Sequence, residues 1–285
     1  MKWFRWLPTI LETGGIRLNL SHNRVSAIVI AKDEERHIAE CLDSLSFADE
    51  TVVVVDSESR DRTLDIVKRY TTRVFVETWK GYAETKQIAL EKTSNSWILW
   101  VDADERVTVE CAAEIVRTVS SGSQYSGYRF RRKAFFLGKW IRHGGWYPGF
   151  VVRLFRKDRG RFNRARVHEG LDVDGPIGTL ESPILHYTDD TLEQYVQKLN
   201  AYTTLAAQEL FERNKAFRLS DLIFRPLHMF MKMYVFKAGF LDGMEGWILA
   251  VLSGNYVLVK YAKLWELHRG SKKVGIGALP APSVD

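Results

Sequence analysis

Four apolar, β-branched runs recur along the first half of this chain, and each is followed by a stretch with helical spacing. Val25 to Ala31, Thr51 to Asp56, Arg73 to Glu77 and Trp97 to Asp102 read as strands beginning 22 to 26 residues apart. Glu34 to Leu45, Arg62 to Tyr70, Tyr82 to Lys92 and Val109 to Val119 read as the helices that follow them. Strands that are apolar without alternation are buried on both faces, so the rhythm predicts an α/β fold with a doubly wound, mainly parallel sheet. Ligands of such sheets sit beyond the carboxyl ends of the strands. The informative residues are therefore Lys32-Asp33-Glu34-Glu35, Asp56-Ser57-Glu58-Ser59, Trp79-Lys80-Gly81-Tyr82 and Asp102-Ala103-Asp104-Glu105.

The pattern changes after Ser120. Gly127 to Phe136 and Gly149 to Arg156 alternate as strands, and the glycine-rich stretch from His143 to Gly149 between them reads as a loop. Asp189 to Arg213 reads as an amphipathic helix, and amphipathic or apolar C-terminal helices follow. The expected organisation is an extension over 1–24, an α/β domain over 25–188, a helical region over 189–270 and a disordered tail over 271–285. Within the α/β domain, 25–120 carries the strand-helix rhythm and 121–188 the changed pattern.

Charge is unevenly placed. Tyr128 to Glu169 carries thirteen Lys or Arg against two acids, Asp158 and Glu169. Such a segment expects an anionic partner, or else it is a solvated loop. Leu222 to Tyr261 is apolar and aromatic, with cations at Arg225, Lys232, Lys237 and Lys260. Its longest charge-free run is fourteen residues, Gly246 to Val259, which is short of the ~20 that span a bilayer. A helix lying in a membrane interface needs this mixture, and a buried helical hairpin is the other reading. Met1 to Leu11 contains Lys2, Arg5 and Pro8, so no secretory leader is expected. Cys41 and Cys111 have no C-x-x-C spacing and are expected to be reduced.

The strongest chemical motif is Asp102-Ala103-Asp104 directly after the fourth strand. Two carboxylates separated by one residue at a strand end reach one hard cation, Mg²⁺ or Mn²⁺, that bridges them to a diphosphate. The alternative is capping of the next helix by Asp104 or Thr108. Asp56 is placed to accept hydrogen bonds from a base or ribose, and Ser59 or Asp61 to cap a helix. Dinucleotide, P-loop, zincin and hydrolase-elbow motifs are absent from the sequence.

These residues together resemble glycosyltransferase family 2, whose members have the GT-A fold, over about Val25 to Leu171. Lys32-Asp33-Glu34-Glu35 is similar to the family's Tyr-Asn-Glu-Glu, with two departures. Asp56 to Thr63 is similar to Asp-x-Gly-Ser-x-Asp-x-Thr, with Glu58 at the glycine. Trp79 to Ala89 resembles the segment ending Asn-x-Ala, with Gln87 at the asparagine, and Asp102-Ala103-Asp104 matches the metal motif outright. His143 to Glu169 resembles a subfamily that includes lipopolysaccharide-core glucosyltransferases. The resemblance implies an inverting transferase that takes a hexose from a nucleotide-sugar, a UDP-hexose such as UDP-glucose. Asp56 and Glu34 would hold the uridine, and Asp102 and Asp104 the metal-diphosphate. Asp33, Lys86, Gln87, Trp146, Arg153 and His168 complete the expected substrate-binding set, with Trp146 as a sugar-stacking platform or else a core tryptophan.

Inversion needs a base on the acceptor side. Glu169, beside His168 and Gly170, is preferred to Asp158, which reads as an exposed turn; simple pairing with Arg164 or Arg166 is the competing role. The expected acceptor is anionic and lipid-linked, such as a lipopolysaccharide core, met at the cytoplasmic face of the plasma membrane by a peripheral enzyme. A nucleotidyltransferase would need a glycine-rich loop after the first strand. A nucleic-acid-binding protein using 128–166 would meet repulsion from the acidic rim, so no nucleic-acid partner is expected.

Overall fold

A computed structural model describes residues 24–163 and 170–273, with side chains up to residue 270. The first half follows the expected rhythm: β1 Val25–Ala31, α1 Ile38–Ser44, β2 Glu50–Asp56, α2 Thr63–Val67, β3 Val74–Glu77, α3 Tyr82–Glu91, β4 Trp97–Trp100, β5 Glu105–Val107 and α4 Val109–Ser120. The second half contributes β6 Gly127–Phe136, β7 Lys139–Trp140, β8 Gly149–Arg156, β9 Gly160–Phe162, β10 Leu171–Val173, β11 Ile177–Thr179 and β12 Ile184–Asp189. Then come α5 Leu192–Glu212, α6 Leu219–Met231, a π-helical turn Lys232–Phe236, a 3-10 turn Gly239–Asp242 and α7 Gly243–Lys273.

Strand order in the main sheet is β3-β2-β1-β4-β8-β6-β12-β5. It is parallel from β3 to β4, and antiparallel pairing with β8 joins the second half to it. All seven residues of β1 are buried, because successive side chains point to opposite faces and both faces are covered. Ala27, Val29, Val53 and Leu99 pack with Ile38, Cys41 and Ile115 of α1 and α4. Ile28, Val52, Val54 and Ile98 pack with Ala89 and Leu90 of α3. Cys41 and Cys111 are free and buried.

Two boundaries differ from the sequence reading. The first helix begins at Ile38 and not at Glu34, because Glu34 to His37 form a turn in which Glu34 O accepts from His37 N and Ile38 N. The second helix is five residues long. Thr108 caps α4 by accepting from Cys111 N, as expected.

The C-terminal helices pack on one another and on the sheet edge. Ala207 of α5 meets Val257, Tyr261 and Leu264 of α7, and Met233, Leu249 and Ala250 pack against Phe136 and Ile141. Gly246 is required where α7 crosses the 3-10 turn, since a Cβ there would lie 2.1 Å from Gly239 O. No helix of the described residues is long and apolar enough to cross a membrane.

Candidate active site

The parallel strand order reverses between β1 and β4, and this is where an open α/β sheet leaves a crevice beyond its carboxyl edge. The β1 exit is stitched to the loop after β2. Asp33 N donates to Ser59 Oγ at 2.9 Å, and Asp33 Oδ1 accepts from Arg60 N at 2.7 Å. Glu34 N donates to Thr63 Oγ1 at 2.8 Å, and Glu35 N to Asp61 Oδ2 at 2.9 Å. Ser59 and Asp61 therefore join two strand exits. The N-cap of α2 is Arg62, whose side chain makes no capping bond, although Asp61 Oδ1 still accepts from Thr63 N at 2.9 Å.

Asp56 ends β2 almost fully buried. Burial opposes its ionisation, but Lys32 Nζ at 2.9 Å and the Glu58 amide outweigh burial and hold its carboxyl below the usual range. Lys32, at the place of the family's tyrosine, thus partners the residue expected to meet the base.

At the β4 exit, Asp102 Oδ2 lies 2.5 Å from Arg153 Nη2, and its Oδ1 accepts from Trp100 Nε1 at 3.0 Å. Lys86 Nζ lies 3.4 Å from Oδ1. Lys86 and Arg153 both rest on the Trp100 ring, 4.0 and 3.8 Å from its centroid. Burial raises the carboxyl's affinity for a proton, but Arg153 and Lys86 dominate and keep Asp102 ionised far into acid. Arg153 also binds Glu105 Oε1 at 2.7 Å, and Glu105 Oε2 accepts from Asp102 N at 3.1 Å. Asp104 Oδ2 lies 3.2 Å from His186 Nε2 of β12.

Glu34 sits in this acidic field. Burial first, and then the Asp104 charge, push its carboxyl up to about 8. Lys198 of α5 works against that shift. Its amine donates to Thr188 O at 2.7 Å and lies 3.3 Å from Asp189 Oδ1.

The glycosyl transferase family 2 model matches residues 26–171, which takes in every one of these strand exits. The chain belongs to that family. It is 31% identical to the lipopolysaccharide core biosynthesis glycosyltransferase LpsC of Rhizobium meliloti over 256 residues, 86% of this chain and 93% of that protein. It is 29% identical to an uncharacterized glycosyltransferase of Rickettsia typhi, over 88% of this chain and 90% of that one. Among solved structures it is similar to mannosyltransferase PcManGT of Pyrobaculum calidifontis, at 13% identity and a TM-score of 0.49, covering 85% of this chain and 87% of that one.

The donor set of this glycosyltransferase fits a divalent cation chemically. Among the described residues no three His, Cys, Asp or Glu converge as a metal cage. Mg²⁺ needs none, because it is held by one or two carboxylates with substrate phosphates and water. Burial is the largest cause of the raised proton affinity of Glu34, and the Asp104 and Asp102 charges add to it; a cation bound there would offset only that second part.

The glycosyltransferase thus brings Asp33, Glu34, Asp56, Lys86, Asp102, Asp104 and Arg153 to neighbouring strand exits. Gln87 instead ties α3 to β9, its Oε1 lying 3.4 Å from Phe162 N. Trp146 packs in T-shape on Phe136, with centroids 6.3 Å apart, in the C-terminal cluster. Asp158 is exposed, in the expected turn. Glu169 and His168 lie outside the described residues. The basic segment is not one face: Arg131 pairs with Glu181, Arg159 with Asp174, and Arg153 is buried. A cavity of about 850 Å³ opens at the other end of the sheet, among Asp49, Glu50 and Arg73, and no expected site residue lines it.

His186 and Lys198 are not marked by the sequence, whereas Glu105 lies in the strand-exit run Asp102-Ala103-Asp104-Glu105 without an assigned role. Glu105 stands beside the metal motif and was legible there. His186 and Lys198 come from β12 and α5, and nothing in their local sequence marks them.

Proposed function

We propose that this enzyme transfers a hexose from a UDP-sugar, with inversion and with Mg²⁺ or Mn²⁺, to a lipid-linked or lipopolysaccharide-core acceptor at the cytoplasmic face of the inner membrane. The observation that carries the reading is the placement of Asp102 and Asp104 at the β4 exit, beside Glu34 at the β1 exit, across the reversal in strand order. The similarity to LpsC over 86% of the chain supports the acceptor class.

Asp56 would accept from the uracil or ribose, with Lys32 fixing its ionised form. Asp104, with Asp102, would hold the divalent cation, which when bound offsets charge on the leaving diphosphate. Arg153 and Lys86 hold Asp102 in one orientation and keep it ionised. The acceptor hydroxyl oxygen attacks the anomeric carbon from the face opposite the diphosphate. The carbon–oxygen bond to the diphosphate breaks, and Glu169 takes the hydroxyl proton.

The test is a panel of nucleotide-sugars assayed for hydrolysis and thermal stabilisation, with EDTA or with Mg²⁺ or Mn²⁺. Metal-dependent stabilisation by UDP-hexoses is expected. Equal stabilisation by all nucleotides in EDTA would overturn the reading.

A further inference from the structure

The loop that carries Trp146 is held by the C-terminal helices. Asp242, almost fully buried, accepts from His143 N at 2.8 Å and Arg142 N at 3.2 Å, and pairs with His143 Nδ1 at 3.0 Å. Gly144 and Gly145 then turn with φ of 66° and 86°, and Gly144 N donates to Lys237 O at 2.9 Å. This close approach leaves a cavity of about 420 Å³ between the loop, α5, the π-helical turn and α7.

Its lining is of two kinds. Trp146, Tyr195, Tyr256, Met229 and Met233 give aromatic and thioether surface, and Lys232 and Lys237, both solvent-exposed, are its two cationic lining residues. None of the ten lining residues is acidic, and no ion pair neutralises either lysine among the described residues. Lys232 and Met233 stand on the π-helical turn, a distortion that is frequent at functional sites. Cations without an acidic partner beside an apolar, aromatic wall fit a phosphate borne on an apolar or sugar-containing molecule.

Two directions from the cavity matter. Inward, Tyr195 lies one helical turn before Lys198, roughly 5 Å along α5, and Lys198 reaches the field of Asp104 and Glu34. Outward, Val235, Phe236, Phe240, Leu241 and Met244 expose apolar side chains on the same hairpin.

We infer that this cavity is the acceptor subsite: Lys232 and Lys237 bind a phosphate of the acceptor, and the Trp146, Tyr195 and Tyr256 rings bind the part that carries it. The inference rests on the proposed transfer to an anionic lipid-linked acceptor and adds the place where that acceptor is held.

The test uses the full chain and dihexanoyl phosphatidate below its critical micelle concentration, titrated by calorimetry beside inorganic phosphate and dihexanoyl glycerol. The phosphatidate should bind, and each half-probe should bind about tenfold more weakly, since charge-assisted bonds and apolar contact each contribute. Lys232→Ala with Lys237→Ala, and separately Ser253→Phe to fill the cavity, should each raise its Kd about tenfold and leave UDP affinity unchanged. Unchanged phosphatidate binding in both variants would overturn the subsite. So would a lysine variant that loses only sedimentation with phosphatidylglycerol vesicles, because the lysines would then serve bilayer headgroups. Absence of UDP binding to the wild type, with phosphatidate binding retained, would instead defeat the donor reading and leave the cavity as a phospho-amphiphile site.

Discussion

Arg153 Nη2 lies 2.5 Å from Asp102 Oδ2, and the same nitrogen lies 2.7 Å from Glu105 Oε1. One residue of β8 thereby fixes both carboxylates that bracket the start of β5. Arg153 itself is almost fully buried, and removing one partner of a buried ion pair leaves an uncompensated charge.

Arg153→Met should cost about 3–5 kcal/mol of stability, the usual effect of breaking a buried pair. Urea denaturation checks it. A loss below about 1 kcal/mol would mean that Glu105 finds another partner or a proton.

Asp104→Ala should abolish transfer while the protein stays folded, since Asp104 is on the rim and not among the strands' apolar residues. Chelator should abolish transfer by the wild type, and Mg²⁺ or Mn²⁺ should restore it. Turnover of Asp104→Ala in EDTA at the wild-type rate would remove the metal.

Glu34 supplies a pH signature. Its carboxyl titrates near 4.5 in the unfolded chain and near 8 in the folded one. Between those values the folded state binds the extra proton, so this group makes stability fall as pH rises through that window. Glu34→Gln should flatten the fall, which thermal unfolding from pH 4.5 to 8 reads directly. Divalent cation should lower the folded pKa and flatten it in part.

Glu169→Gln should lower turnover by ~10²–10⁴-fold, the range of general base catalysis, with donor affinity unchanged. Asp158→Asn, in an exposed turn, should turn over normally. The reverse pattern would move the base to Asp158.

Membrane attachment is best tested by point variants. Truncation before Leu222 would remove α7 and strip Ala207 of α5 of its packing against Val257, Tyr261 and Leu264. Phe236→Ser with Leu241→Ser, both exposed, should reduce sedimentation with anionic vesicles and spare UDP binding. Undiminished sedimentation would place attachment elsewhere.

The strand rhythm, the buried β1 and β2, and the carboxylates at strand exits were legible in the sequence, because local hydrophobic periodicity decides which segments are strands and strand ends are where their acids emerge. Val25–Ala31, Gly127–Phe136 and Gly149–Arg156 were readable to the residue. What the tertiary structure decided is which distant side chains those acids meet. Arg153 reads from the sequence as a substrate-binding residue, and only the pairing of β8 with β4 carries it to the Asp102 carboxylate. His186 reaches Asp104 because β12 pairs with β5, Lys198 arrives on α5, and Asp242 clamps His143 from 99 residues away. Periodicity reports the type and burial of a segment; the partners of a buried charge are set by strand order and helix docking, which bring together residues that share no local pattern.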